Sequence, residues 1–168
     1  PDDYRPRTLA SDLAASGALT VHQTVQIGLA LSQALEFLLS KDLIHRDIKP
    51  ANVVFVGGRP KLADISLVST LSEANTYVGT SGFIAPEGPN SIQGDLYSLG
   101  KVLYEVSSGR GSDEYPDAAT DDADVENPRY QSLNAVIHKA CERGTRRRYQ
   151  TAKSLHAALA GISAGSSV

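Results

Sequence analysis

Four polar side chains have the types and spacing needed to handle a phosphoryl group: Asp47, Lys49, Asn52 and Asp64. Carboxylate and amide oxygens such as those of Asp64 and Asn52 are the hard ligands that Mg²⁺ prefers in proteins. The ammonium group of Lys49 offers positive charge to a phosphate, and the carboxylate of Asp47 can orient a hydroxyl and accept its proton. The set therefore predicts magnesium-dependent phosphoryl transfer.

A predicted β-hairpin explains how these side chains would meet. The run from 53 to 56 is β-branched and aromatic, two glycines follow, and a second short apolar run reaches residue 63. Asn52 stands at the entry of this hairpin and Asp64 at its exit, so the hairpin brings them together. The segment 64–87 shows no periodicity, and a loop of this length inside a domain is usually functional.

Helical periodicity predicts that the rest of the chain is mainly α. The third predicted helix is apolar on nearly every side, which is typical of a helix buried in the core. Thr20 is the expected N-cap of the second helix, and glycines end the first and third. The predicted helices span residues 8–15, 21–41, 95–107, 131–143 and 151–162.

The run from 45 to 52, His-Arg-Asp-Ile-Lys-Pro-Ala-Asn, resembles the protein kinase catalytic loop, H-R-D-x-K-x-x-N. Residues 64–66, Asp-Ile-Ser, stand where that family has its D-F-G metal-binding triplet. Three further matches follow in family order: Gly79-Thr80 with Ala85-Pro86-Glu87, Asp95 to Gly100, and Arg148. Lys49 and the style of residues 95–110 resemble bacterial members of the eukaryotic-type Ser/Thr kinases.

The resemblance implies a role for each matching residue. Asp47 would be the catalytic base that accepts the proton of the substrate hydroxyl, and Lys49 would steady the γ-phosphate of ATP. Asn52 and Asp64 would hold Mg²⁺ and, with Lys49, bind the nucleotide. Thr80 would bond toward Asp47 and Lys49 and shape the substrate-facing loop.

Other matching residues would have supporting roles. The resemblance implies that Asp95 holds the backbone of the catalytic loop and that His45 and Ile65 stack in the hydrophobic interior. Kinases with an arginine at the position of Arg46 often use it to receive a phosphate on the following loop. Four hydroxyls are candidates for that phosphate: Ser69, Thr70, Ser72 and Thr76.

The resemblance covers residues 8–159 but only part of a kinase domain. Nothing in the sequence matches the Gly-rich loop, the strand lysine or the helix glutamate of the N-terminal lobe. We therefore expect a mainly α (α+β) C-terminal lobe at 1–162, with a flexible tail at 163–168 and the N-terminal lobe absent. The chain starts with Pro1 and has no methionine, so we expect a piece of a longer protein.

Two departures from the family keep alternatives open. Ile65 replaces the usual Phe and Ser66 the usual Gly, and Ser reaches the backbone angles of Gly only at a cost. The main alternative is a pseudokinase, a binding or scaffold module without catalysis. A small-molecule phosphotransferase ranks below it. For Asp47, Asn52 and Asp64 the alternative to a catalytic role is turn formation and loop capping.

Composition limits the partners. The chain has 168 residues and a net charge of -3, with 16 Lys and Arg against 19 Asp and Glu. This balance argues against a nucleic-acid-binding protein, and no apolar run is long enough for a membrane span. The expected partners are the N-terminal lobe and protein substrates with Ser or Thr. Cys141 is expected to be buried, and one cysteine is compatible with a cytoplasmic location.

Two expectations concern segments outside the catalytic loop. Glu87 and Arg148 are expected to form a buried ion pair that holds the lobe together, because a guanidinium can bind a carboxylate with two parallel hydrogen bonds. The acidic stretch 111–128 is interpreted as a solvated surface loop, with a functional acidic patch as the alternative.

Overall fold

Short polar caps set where the helices begin. The computed structural model describes residues 6–117 and 127–164. The elements are helices α1 Leu9–Ser16, α2 Val21–Leu39, α3 Ile92–Ser108, α4 Pro128–Ala140 and α5 Ala152–Ala164, and strands β1 Leu43–Ile44, β2 Val53–Val56, β3 Arg59–Leu62 and β4 Ser69–Thr70. The mainly helical class with one small hairpin is confirmed for the described residues.

Helices α1 and α2 show how the capping works. The side chains of Thr8 and Thr20 each accept a hydrogen bond from the backbone N–H three residues later, which satisfies a donor that the first helical turn leaves free. Ser11 and Gln23 reach back to the cap residues and complete two capping boxes. Gly17 ends α1 with a positive φ of 68°, where residues with a Cβ are disfavoured.

Helix α3 forms the centre of the core. Twelve of its residues are buried, including Leu96, Leu99 and Leu103. Helices α2 and α4 pack against it, and α5 packs on α2 and α4. Gly100 lets α4 approach closely, since a Cβ there would lie 2.7 Å from the Cys141 sulfur. Cys141 is buried as expected, and burial raises the pKa of its thiol to about 12.

The strands form two separate antiparallel pairs. Strands β2 and β3 pair with Val54 opposite Lys61, and the turn between them consists of Gly57 and Gly58, both at positive φ. Two consecutive residues at positive φ are what a tight two-residue hairpin turn requires. The predicted hairpin is therefore confirmed. Strand β2 also forms an isolated antiparallel bridge with Thr8, through Val54.

Several boundaries differ from the predicted ones. Helix α3 begins three residues earlier than expected, because Ser91 is its N-cap and accepts a hydrogen bond from Gly94. Helix α4 begins at Pro128 behind the cap residue Asn127. Within the loop 64–87, β4 pairs with β1, a contact too short to show periodicity. Residues 118–126 of the acidic stretch and 165–168 of the tail lie outside the described residues.

Candidate active site

The catalytic loop is fixed from below by one buried carboxylate. Asp95, in the first turn of α3, accepts hydrogen bonds from the backbone N–H groups of His45 (2.7 Å) and Arg46 (2.8 Å). Arg46 has a positive φ of 68°, a strained conformation for a residue with a side chain. Burial raises the pKa of Asp95 to about 6, against the opposing effect of the two N–H donors. Its contacts pin the loop to the core helix.

Asp47 lies at the centre of a network of three polar side chains. Its Oδ1 accepts a hydrogen bond from the Thr80 hydroxyl at 2.6 Å, and its Oδ2 lies 3.0 Å from both the Lys49 ammonium and the Asn52 amide. Lys49 also donates to Thr80 at 2.7 Å. Burial opposes ionisation of Asp47, but the donors outweigh it and hold its pKa below the usual range. The group is a carboxylate at neutral pH.

The hairpin brings the segments of Asn52 and Asp64 together. The Ala63 N–H donates to the Asn52 carbonyl at 2.8 Å. Asp64 is the next residue after Ala63, so its backbone lies close to that of Asn52. The Asn52 amide nitrogen donates to the backbone carbonyl and the carboxylate of Asp47. No donor among the described residues reaches the amide oxygen of Asn52. Asp64 is exposed, with a positive φ of 57°, and its Oδ1 accepts hydrogen bonds from Ser66 that lower its pKa.

His45 is buried but does not stack with Ile65. The ring of His45 is 1% exposed and bonds to the Ala63 carbonyl (3.1 Å), and burial lowers its pKa. Ile65 is 74% exposed because the short helical turn after Asp64 carries its side chain outward. The prediction of an internal stack is therefore wrong for this structure. Both residues border an open cavity of about 840 Å³, walled by α2 and the β2–β3 hairpin.

Helix α3 also anchors the segment that follows Thr80. The Ser98 hydroxyl donates to the Phe83 carbonyl at 2.8 Å. One turn further on, the Lys101 ammonium donates to the Ser112 carbonyl (2.5 Å), and Glu105 accepts from the Ser112 N–H (2.7 Å). A Cβ on Gly82 would lie 2.5 Å from the Ser112 hydroxyl, so the Ser112 segment packs directly against the segment after Thr80.

The predicted pair of Glu87 and Arg148 is present. Two guanidinium nitrogens of Arg148 contact the two carboxylate oxygens of Glu87 at 2.5 and 2.8 Å. Only the arginine is buried: its side chain is 0% exposed, whereas that of Glu87 is 30% exposed. The expectation of a fully buried pair is therefore corrected. Arg148 also donates to the carbonyls of Glu142, Gln93 and Arg143.

Arg46 connects the catalytic loop with the loop 64–87. Its Nε donates to the Leu67 carbonyl at 2.7 Å, and its Nη1 donates to the Thr76 hydroxyl at 3.3 Å. The other candidate hydroxyls are placed differently. The Ser69 hydroxyl is buried without a described partner, and that of Thr70 donates to Glu73. Thr76 is thus the candidate that Arg46 already contacts.

Two features of the site escaped the sequence reasoning. The hydrogen bond from Ser66 to Asp64 could have been expected, because Ser and Asp two residues apart often form local turns. The role of Lys101 and Glu105 had no sequence signal beyond two charges in an apolar helix. Within residues 6–117 and 127–164, no helix is long and apolar enough to cross a membrane.

A model of the protein kinase domain matches residues 3–157, and the chain belongs to this family. Among similar proteins are a probable serine/threonine-protein kinase of Clostridium perfringens and two mycobacterial kinases of Mycobacterium leprae, PknG and PknB. The first is 31% identical over 170 residues, covering 89% of this chain and 25% of the relative. PknG is 29% identical over 150 residues (86% and 19%), and PknB is 28% identical over 180 residues (94% and 29%).

These relatives support the bacterial type of Ser/Thr kinase that the motifs resemble. The chain spans less than a third of the length of each of the three relatives, 25%, 19% and 29%. The mostly helical structure agrees with a fragment of a kinase domain.

Proposed function

We propose that this chain is the C-terminal lobe of a Ser/Thr protein kinase and carries its catalytic loop. The complete protein transfers the γ-phosphoryl group of ATP to Ser or Thr of protein substrates. Residues 1–162 form the lobe, with 163–168 as a tail. A cytoplasmic location, where thiols stay reduced, is part of this proposal.

The observation that carries this proposal is the arrangement around Asp47. Its carboxylate is ionised and already accepts a hydrogen bond from one hydroxyl, that of Thr80. A substrate hydroxyl needs the same kind of acceptor as it attacks phosphorus. Lys49 lies 3.0 Å from this carboxylate and offers positive charge for the transferred phosphoryl group. The site thus supplies a proton acceptor and a cation side by side.

The chemistry of Asn52 and Asp64 fits Mg²⁺. Each offers a hard oxygen without a described donor, Oδ1 of Asn52 and Oδ2 of Asp64, at adjacent points of the hairpin. Mg²⁺ usually takes only one or two protein carboxylates and completes its shell with water and phosphate. Within residues 6–117 and 127–164, no group of three or more His, Cys, Asp or Glu is arranged for a metal. Bound Mg²⁺ neutralises charge on the phosphates.

The open cavity beside His45 supports the proposal that this chain packs against an N-terminal lobe. Its walls are largely apolar, with Leu29 and Phe37 from α2, and Phe37 is 65% exposed. An apolar cavity next to a catalytic loop is suited to packing against another part of the kinase domain. In this proposal the N-terminal lobe covers it and supplies the phosphate-covering loop and the strand lysine.

The catalytic assignment is tested by Asp47→Asn in the full-length protein. Radiolabel transfer from ATP to a generic protein substrate should fall by about 10²- to 10⁴-fold, because the amide cannot accept the proton. Asp42→Asn is the matched control, since Asp42 is exposed and its positive φ of 57° suits Asn. Equal transfer by wild type and Asp47→Asn would refute the assignment.

The lobe assignment is tested by the chain alone. It should fold around its own core but turn over at least about 10²- to 10³-fold more slowly than the full-length protein, the usual loss for one missing transition-state donor. Turnover within about tenfold of the full-length protein would show that the catalytic groups lie within this chain.

One observation favours the pseudokinase alternative. The hydroxyl of Ser66 occupies an oxygen of the proposed metal ligand Asp64. A full-length protein with correctly folded lobes, nucleotide binding and no transfer above the Asp47→Asn background would support that alternative.

A further inference from the structure

The Asp64 carboxylate is already engaged by its own neighbour. The Ser66 hydroxyl donates to Oδ1 of Asp64 at 2.6 Å, and the Ser66 N–H donates to the same oxygen at 3.2 Å. Both donors come from the residue two positions later, so the contact is local and needs no support from the core. Both residues are exposed.

Counting lone pairs shows what remains for a cation. A carboxylate offers about four acceptor positions, two on each oxygen. The hydroxyl and the N–H of Ser66 take both positions on Oδ1, and no hydrogen bond of the described residues reaches Oδ2. A divalent cation can therefore approach through Oδ2 alone. The hydroxyl also takes up part of the negative charge that would attract the cation.

We propose that Ser66 is a positioning residue that weakens divalent-cation binding by restricting Asp64 to one free oxygen. The inference rests on the proposed function, in which Asp64 and Asn52 hold the cation. The protein then needs a higher cation concentration for nucleotide-bound metal than the same site without the hydroxyl. Ser66 is thereby distinguished from the glycine that the kinase motif has at this position.

Three substitutions separate the hydroxyl from the backbone. Ser66→Ala removes only the hydroxyl, because the N–H remains. Ser66→Gly removes the hydroxyl and also frees the backbone. Ser66→Thr keeps the hydroxyl. Because Ser66 is exposed, each variant is expected to fold.

The experiment measures Mn²⁺ binding to the full-length protein by the electron paramagnetic resonance of free Mn²⁺, with a non-hydrolysable ATP analogue kept below the protein concentration so that little unbound analogue competes for Mn²⁺. Ser66→Ala and Ser66→Gly should bind Mn²⁺ about three- to tenfold more tightly than wild type, the range that one lost hydrogen bond allows. Ser66→Thr should match wild type. Ser132→Ala is the control, since Ser132 donates within α4 to the Pro128 carbonyl.

The outcomes separate this inference from the function on which it rests. Wild-type affinity in Ser66→Ala, together with lost binding in Asp64→Ala, would overturn the role of Ser66 and leave the metal assignment standing. Tighter binding in Ser66→Gly alone would assign the effect to the backbone and also overturn it. Unchanged binding in Asp64→Ala would overturn the metal assignment and the inference together.

Discussion

The catalytic loop and the loop 64–87 lie side by side but are held in different ways. Residues 44–48 are all buried, and their backbone is bound to Asp95 of the core helix. The loop 64–87 is mostly exposed, with Ile65 and Tyr77 exposed by 74% and 75%. Its position depends on a few side chains, such as Arg46, Ser98 and Arg148.

The difference separates a fixed part of the site from an adjustable part. Moving the catalytic loop would leave two buried N–H groups without an acceptor. This costs free energy, because water cannot reach them to replace the lost hydrogen bonds. Moving the loop 64–87 mainly exchanges surface hydrogen bonds for water, apart from its contacts with Arg148, Ser98 and Asp47. Asp47, the proposed proton acceptor, is therefore preorganised, while the loop 64–87 can respond to its surroundings.

Breaking the contact at Arg148 should have the largest effect. Arg148→Ala removes a buried guanidinium that joins Glu87 to three backbone carbonyls. The free energy of unfolding should fall by about 3–5 kcal/mol, because three backbone carbonyls lose their donor, at about 1–3 kcal/mol for each acceptor that stays buried. Glu87→Ala should cost a similar amount, because it leaves the buried Arg148 guanidinium without its counter-ion. Urea denaturation of each variant measures both effects.

Arg146→Ala and Arg147→Ala are the matched controls for this prediction. Both arginines are exposed, so their replacement should change stability by no more than about 0.5 kcal/mol. A larger loss in either of them than in Arg148→Ala would contradict the placement of the last helix.

Protonation of Asp95 should make the fixed part of the site pH-dependent. Burial raises its pKa to about 6, from the ordinary value of 3.8. Between these pH values the folded protein binds more protons than the unfolded protein, so stability falls as pH rises. Asp95 contributes about 3 kcal/mol to the free energy of unfolding at low pH, and about 2 kcal/mol of this contribution is lost between pH 4 and pH 7.

Asp95→Asn isolates this contribution because the amide does not titrate. The stability advantage of wild type over Asp95→Asn should shrink by about 2 kcal/mol from pH 4 to pH 7, measured by urea denaturation. An advantage that stays constant or grows with pH would show that the two N–H donors, rather than burial, control Asp95.

The sequence predicted the fixed part of the site better than the adjustable part. Helix α2 and the hairpin follow from periodicity and turn glycines, and the contact between Glu87 and Arg148 follows from family motifs. The outward turn of Ile65 and the pairing of β1 with β4 could not be predicted, because they depend on a few tertiary hydrogen bonds. Two-residue strands leave no periodic pattern.

Phosphorylation should stabilise the adjustable loop at Thr76. A phosphate there would add about -1.5 to -2 charge beside Arg46, whose Nη1 already contacts the hydroxyl. At Thr70 the neighbouring Glu73 would repel it, and the Ser69 hydroxyl is buried. Thr76→Ala should lower activity of the full-length protein by about tenfold, the effect of one charge-assisted contact.

Mass spectrometry of the active protein tests the site directly. Phosphate should be found on Thr76 in preference to Ser69, and Ser69→Ala should retain activity. An unmodified loop in fully active protein would reduce Arg46 to a structural contact.

Replacing Lys101 should have the smallest effect of these changes, and we expect it to alter only the KM for protein substrate. Its ammonium group is buried, takes part in no ion pair among residues 6–117 and 127–164, and holds the Ser112 carbonyl behind Gly82. Burial lowers its pKa, so the charge is held at a cost. Lys101→Met keeps the length of the side chain and removes this cost, but it leaves the buried Ser112 carbonyl without its donor. The two effects oppose each other, so stability should stay within about 1 kcal/mol of wild type. The Ser112 segment would lose one of its two ties to α3, and the KM for protein substrate should rise about three- to tenfold, the range for one hydrogen bond. The KM for ATP should not change, because no hydrogen bond among the described residues links Lys101 or Ser112 to Asn52 or Asp64. Lys101→Arg, which retains a donor, should restore part of the substrate affinity. A parallel rise in both KM values, or a loss of stability beyond about 1 kcal/mol in Lys101→Met, would show that Lys101 supports the lobe as a whole and not the substrate-facing segment.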